Sequence, residues 1–368
     1  IHVRAVGETG GVLTKAVPLL VQGSVQYPEF TLQDDGTFES RVVDTGRHLM
    51  RVVTAQKDGP FLFSELIDVS TAQPGEDGIL EVVLKPGTRL TGRLDDSVPR
   101  PVAEGYVQLM VVEGHNHTLV TTEDRFQTDA WAWEDVAAVQ PDGTFTFESV
   151  PSGGLAQIHV SGDGYMSQNP PPEELAAIIR AHAGGDATTL QGLKENIVDR
   201  PMYPQLVAID QPVADVTVKC RATASCDLRI LDSAGNPVEG ARVSLGPNGI
   251  FINGDLFVLG VNSHVKADDL RYRFSALPEF AVDDGENGQP IRSVTTQKQF
   301  EWAQRSFFSV KSDADGRVKI RNLPGDMRAS FKVTAAGFVM PNSLVSSNFG
   351  RRTGSIDVTT GETVEATI

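Results

Sequence analysis

Cysteine is nearly absent, with two residues in 368, Cys220 and Cys226. A scaffold stapled by many disulfides is thereby excluded, and the cores must hold by burial. No run approaches the roughly 18 to 20 apolar residues of a membrane helix. No cationic region followed by an apolar stretch opens the chain, so membrane insertion is not expected. Ile1 stands where an initiator methionine would, which fits a chain whose export signal has been removed. Basic residues are outnumbered, 32 Lys and Arg against 48 Asp and Glu, for a net charge of −16. That balance repels phosphate backbones and anionic lipid surfaces, so nucleic acid is not an expected partner. No glycine-flanked serine elbow occurs, and the histidines are scattered, His159 within a core-type strand. "EGHNHTL" offers His115 and His117 with Glu113, Glu123 and Asp124 nearby, but zinc takes three or four ligands and a His-x-His pair supplies two. Neither catalysis nor a cofactor is expected.

What is present is a repeat. "LQDDGTFESRVVDTG" from Leu32, "VQPDGTFTFESVPSG" from Val139 and "KSDADGRVKIRNLPG" from Lys311 share one plan. Each has Asp-Gly, then alternating apolar residues, then a turn closing on glycine. Phe38, Phe145 with Phe147, and Val318 with Ile320 mark strands with one face on a core. Downstream come "RHLMRVVTA", "LAQIHVSGDGY" and "MRASFKVTAAGF", and closing strands recur as "ILEVVLKPG", "VADVTVKC" and "TVEATI". The predicted fold class is all-β, with three tandem antiparallel Greek-key β-sandwich domains and short turns between strands. The expected units are 1–85, 86–219 and 220–368. Each closing strand runs straight into the next unit, which leaves no room for a loose linker.

The order D-x-x-G-x-P-V-x-G-A-x-V, then D-x-D-G-x-x-x-I-x-x-L-P-G, then V-x-A-x-G-F stands between Asp232 and Phe338. It resembles the carboxypeptidase regulatory-like domain, a transthyretin (prealbumin)-like β-sandwich related to Cna-B-type modules. The third unit matches well, the second in "PDGTFTFESVPSG" and "GDGY", and the first loosely. The resemblance implies a non-catalytic accessory or structural module of an exported kind; such motifs specify fold far more than activity.

The units differ in their insertions, expected at 114–135 and 166–212 in the second and 246–305 in the third. Within 166–212, "PPPEELAAIIRAHAGG" predicts a short helix, with prolines and glutamates at its start and Gly184-Gly185 at its stop. All three tryptophans fall in these stretches: Trp131, Trp133 and Trp302. As loop aromatics they are ligand-binding candidates, a platform for a sugar or an anchor for a protein partner. They serve equally as covers for the flank of a sandwich.

Two further clusters are candidates. Asp313 and Asp315 are hard oxygen ligands that suit calcium. An EF-hand loop counted from Asp313 would need a glutamate where Pro324 stands, and aspartate with glycine also explains a plain turn. Cys220 and Cys226 sit on adjoining strand segments, where a disulfide and two small buried thiols both fit. The function expected is a non-catalytic, secreted or cell-surface protein with a structural or adhesive role, binding protein or glycan through its loop insertions. The alternatives are a carbohydrate-binding segment of a larger exported enzyme and a hydrolase with its site between insertions.

Overall fold

A computed structural model describes residues 2–13, 16–22, 31–39, 49–56, 59–112, 131–153, 155–168, 174, 205–209, 215–245, 310–323, 325, 327–338 and 355–368. Their regular structure is β throughout, save for Glu174. The helix expected after Pro172 lies, but for Glu174, outside the described residues. So does the third-unit insertion at 246–305.

The first stretch forms β1 (His2–Gly7), β2 (Val17–Gln22), β3 (Thr31–Leu32), β4 (Thr37–Glu39), β5 (Leu49–Gln56), β6 (Gly59–Phe63), β7 (Ile67–Asp68) and β8 (Ile79–Pro86). They join in the order β2-β5-β6-β8-β1-β4-β3, with β7 on β5. β8 links the two halves by pairing with β1 early and with β6 at Lys85 and Pro86. Period-two alternation turns Val3, Ala5, Phe38, Val82 and Leu84 inward to meet Met50, Val52 and Leu62 in one core.

The middle stretch supplies β9 (Thr88–Leu94), β10 (Gly105–Val112), β11 (Trp131–Ala138), β12 (Thr144–Val150), β13 (Leu155–Gly162), β14 (Tyr165–Ser167), β15 (Gln205–Ala208), β16 (Asp215–Val218) and β17 (Cys220–Ala222). One sheet runs β12-β9-β16 and the other β11-β10-β13-β14-β17, with β15 on β13. Their inner faces meet as a sandwich, Leu90, Phe145 and Phe147 from one against Val107, Leu109, Ile158 and Val160 from the other. The ends of what reads as insertion are framework here. Trp131 to Asp135 begin β11, while Met166, Ser167 and Gln205–Ala208 belong to sheet strands. Inserted residues that find a free strand to pair with satisfy their backbone groups there.

The last stretch builds β18 (Ala224–Arg229), β19 (Arg242–Leu245), β20 (Val310–Lys311), β21 (Arg317–Leu323), β22 (Met327–Thr334), β23 (Ser355–Val358) and β24 (Thr363–Thr367). The sheets β21-β18-β24 and β20-β19-β22-β23 enclose Cys226, Leu228, Val243, Val318, Ile320 and Phe331.

In one respect the pairing departs from the antiparallel expectation. The closing strand of each stretch lies parallel to its opening strand: β8 to β1, β16 to β9 and β24 to β18. Entry and exit strands therefore point the same way. The chain leaves each stretch at the end opposite its entry, which carries it forward into the next.

Candidate functional site

The turn singled out in the sequence recurs more widely than the sequence suggests. At 7–11, 33–37, 75–79, 140–144, 232–236 and 313–317, the first residue's N–H donates to the fifth residue's carbonyl. The fourth residue, a glycine each time, donates to the first residue's carbonyl, all at 2.8–3.0 Å. Those glycines have φ of +73° to +87°, the left-handed region that a side chain disfavours. Carboxylates complete the turns in two ways. Asp35 and Asp142, third in their turns, accept from the backbone N–H and hydroxyl of Thr37 and Thr144 at 2.6–3.0 Å. Asp232 and Asp313 stand first and accept from two backbone N–H groups each, at 2.8–3.0 Å. Hydroxyl and backbone donors hold the Asp35 and Asp142 carboxyls below the usual range, and the Asn236 backbone and side chain do so for Asp232. Asp313 is thus engaged as a turn cap. Among the described residues no group of three or more His, Cys, Asp or Glu side chains is gathered for a metal.

Trp133 is not a loop aromatic. It lies on β11 opposite Val111 and is 1% exposed. Its ring meets Phe61 and Phe63 of the first stretch edge-on, with centroids 5.2 and 4.8 Å apart. The indole is buried in a junction and offers no face to a ligand. Trp131 pairs with Val112 in register, and Trp302 lies outside the described residues.

Around Trp133 the first two stretches share one core. Val53 and Phe63 from β5 and β6 cluster with Leu109, Val111 and Val150. Ser149 donates its hydroxyl to the Phe61 carbonyl at 2.9 Å, and the Gly87 N–H donates to the same carbonyl at 2.9 Å. Gly87 joins β8 to β9 where the backbone has no room for a side chain. A Cβ there would lie 2.3 Å from Ser149 Oγ and 2.6 Å from a Phe63 ring carbon.

A second junction couples the middle and last stretches. The β10 and β13 residues facing away from the middle core include Tyr106, Gln108, His159 and Ser161, all buried. Tyr106, with Val136 and Met166, joins the core of the last stretch. β17 pairs with β14, so the middle sheet extends through Ala222. Asn322, at φ +58°, reaches the tip of the β13–β14 hairpin. Its side-chain oxygen accepts from the Gly164 N–H at 2.9 Å and its amide donates to Asp163 at 3.0 Å.

The cysteines divide between these cores and are free. Cys220 belongs to the middle core and Cys226 to the last, so no bridge joins them. Adjoining strands in sequence become walls of different sandwiches once β17 pairs back to β14. Burial pushes the Cys220 thiol up to about 12 and the Cys226 thiol to about 11, far from thiolate reactivity at neutral pH. Burial also holds His159 down at about 3, so it is neutral. His159 sits opposite Gln108 in register as part of the second junction rather than as a base.

Sequence reasoning missed Phe61, Phe63, Gly87 and Asn322, the residues that make the junctions. Only one signal pointed to them: the closing strands lead without a linker into the next unit.

No family model matches the chain, and no curated protein matches it. Among solved structures, the Bacillus anthracis TIE protein is 11% identical with a TM-score of 0.22 over 100% of this chain. The chain spans 49% of that protein. A streptococcal ancillary pilin is 12% identical with a TM-score of 0.26, covering 98% of each chain. BcpA, the major pilin subunit of Bacillus cereus, is 15% identical with a TM-score of 0.20, covering 100% of this chain and 97% of that one. At TM-scores this low the likenesses carry no argument about what the chain does, and the all-β architecture stands on the chain's own strands.

Proposed function

We propose that the chain is a non-catalytic, exported protein with a structural or adhesive role. Three tandem sandwich domains, of the kind that the carboxypeptidase regulatory-like resemblance implies, are held as a stiff array. The array carries its binding surface for protein or glycan in the loop insertions, above all 246–305. The observation that supports this most is the sharing of cores across both junctions: Trp133 with Phe61 and Phe63, and Tyr106 and Met166 with the last core. Burial of this kind fixes the orientation of neighbouring sandwiches, as a mechanical or display scaffold requires, and tandem domains joined by exposed linkers lack it. Trp133, buried, is withdrawn from any sugar platform.

The test compares the whole chain with a version in which 246–305 is replaced by a short Gly-Ser linker. Both are probed against a glycan array and a panel of extracellular proteins. Binding by the whole chain that the replacement removes, with the melting midpoint kept, supports the reading. Binding that survives the replacement, or turnover in a broad hydrolase substrate screen, overturns it.

A further inference from the structure

The outer face of the last β21-β18-β24 sheet carries a row of cations. Alternation turns Cys226, Leu228, Val318 and Ile320 into the core and sends Arg317, Lys319 and Arg321 of β21 and Arg229 of β18 outward, all exposed. Arg229 lies directly opposite Arg317 in register, and Asp227 lies between Lys319 and Glu365. Lys319 is 3.6 Å from Asp227. Among the described residues, the guanidinium groups of Arg229, Arg317 and Arg321 form no hydrogen bond or ion pair. Like charges set directly opposite on a sheet destabilise it, so the Arg229–Arg317 pair is a local cost to the fold.

The repeat itself does not require these cations. Each opening strand has an arginine at the matching place, Arg4 on β1, Arg93 on β9 and Arg229 on β18. Arg4 has Thr37 on one side and Glu81 on the other, and lies 3.5 Å from Asp77. Arg93 has Thr144 and Thr217 beside it and donates to the Thr217 hydroxyl at 3.4 Å. Arg229 has Arg317 and Thr367. Counted from the turn glycines Gly36, Gly143 and Gly316, the matching outward residues are Thr37 and Glu39 on β4, Thr144, Thr146 and Glu148 on β12, and Arg317, Lys319 and Arg321 on β21. Polar and acidic positions in the first two stretches are cationic in the last.

Three outward side chains at alternate positions of one strand make a narrow row roughly 13 Å long. A guanidinium presents its N–H donors as a planar fork that fits a carboxylate through two parallel bonds. The remaining outward residues of the sheet are Ser225, Asp227, Thr363, Glu365 and Thr367, so the face has neither a ring for a base to stack on nor an apolar pocket for a protein anchor. Backbone N–H groups lie in the plane of a sheet, and the face lacks the outward-pointing nest that holds phosphates. The net charge of −16 repels broad anionic surfaces such as membranes, whereas a single narrow chain meets only the row. We propose that Arg317, Lys319 and Arg321, flanked by Arg229, bind a linear polysaccharide of uronic-acid residues, whose carboxylates seat on the free guanidinium forks. A carboxylate laid across Arg229 and Arg317 relieves the repulsion that the isolated sheet carries. The site lies on the framework of the sandwich and is independent of what the loop insertions bind.

The whole chain passed over immobilised alginate, a polyuronate, tests it. Binding is expected at about 0.1 M salt, where charges are screened over about 10 Å, and should be lost at about 1 M, where the distance is about 3 Å. Arg317→Gln with Arg321→Gln should weaken binding about tenfold or more while keeping the melting midpoint. Arg317→Lys, which keeps the charge and loses the fork, serves if that pair fails to fold and should weaken binding severalfold. Arg89→Gln with Arg93→Gln on the middle sheet should leave binding unchanged, and so should replacement of 246–305 by a Gly-Ser linker, which separates this site from the surface proposed above. A chain that does not bind alginate at about 0.1 M salt overturns the proposal. So does binding that persists unchanged in the folded Arg317 variants or that disappears with 246–305. Tighter binding of polyglutamate or polyphosphate also overturns it, in favour of an acidic protein segment or a phosphate polymer.

Discussion

His159 is a buried histidine held near a pKa of about 3 by desolvation, against 6.5 in an open chain. The folded protein keeps it neutral while the unfolded chain takes up a proton as pH falls below 6.5. Its contribution to stability is therefore intact above pH 6.5 and lost progressively down to about pH 3. The slope is about 1.4 kcal/mol per pH unit within that window. Urea midpoints measured between pH 7 and pH 4.5 should show this decline, and His159→Leu should flatten it. The turn aspartates act lower. Asp35, Asp142 and Asp232 have depressed carboxyl pKa values, so their contribution is present above pH 3.8 and lost as pH falls below it. The cysteines give a separate test. A thiol reagent should leave Cys220 and Cys226 unmodified in the native protein and react with both in denaturant, with no disulfide on a non-reducing gel.

Between elements, two contacts carry the junctions. Gly87 has no room for a side chain between Ser149 and Phe63. Gly87→Ala should lower stability by about 1 to 3 kcal/mol, the usual range for overpacking. Asn322 combines a left-handed backbone with two hydrogen bonds into the β13–β14 hairpin. Asn322→Ala should cost about 1 to 2 kcal/mol, while Asn322→Gly should restore the backbone term but not the hydrogen bonds. Denaturant melts of the three variants check both claims. The individual strands were the most legible part of the molecule. Phe145, Phe147, Val318 and Ile320 face the core as their alternation requires, because side-chain direction in a strand follows from position alone. Partner choice was not legible in the same way. Trp131 and Trp133 read as loop residues because nothing local reveals that β11 closes the edge of β10.

Across the whole molecule, cores shared at both junctions should couple the three stretches in unfolding. Calorimetry is expected to show one dominant transition for the parent. Trp133→Ala removes the largest buried side chain at the first junction and should cost about 3 to 5 kcal/mol. It should also split off an earlier transition for the first stretch; a parent trace that already shows three separate transitions would contradict shared cores.

The sequence by itself determined the all-β class, the Asp-Gly turns and the inward residues of most strands. Each of these follows from local rules, a left-handed glycine, a capping carboxylate or a period of two. Tertiary structure alone decided that the closing strands run parallel to the opening ones and that Cys220 and Cys226 line different cores. It likewise decided that Trp133 is a junction rather than a platform, and that the last sheet gathers its cations on one face. Those outcomes depend on which strands become neighbours across long stretches of chain, and pairing at that distance is set by competition among burials that no local pattern encodes.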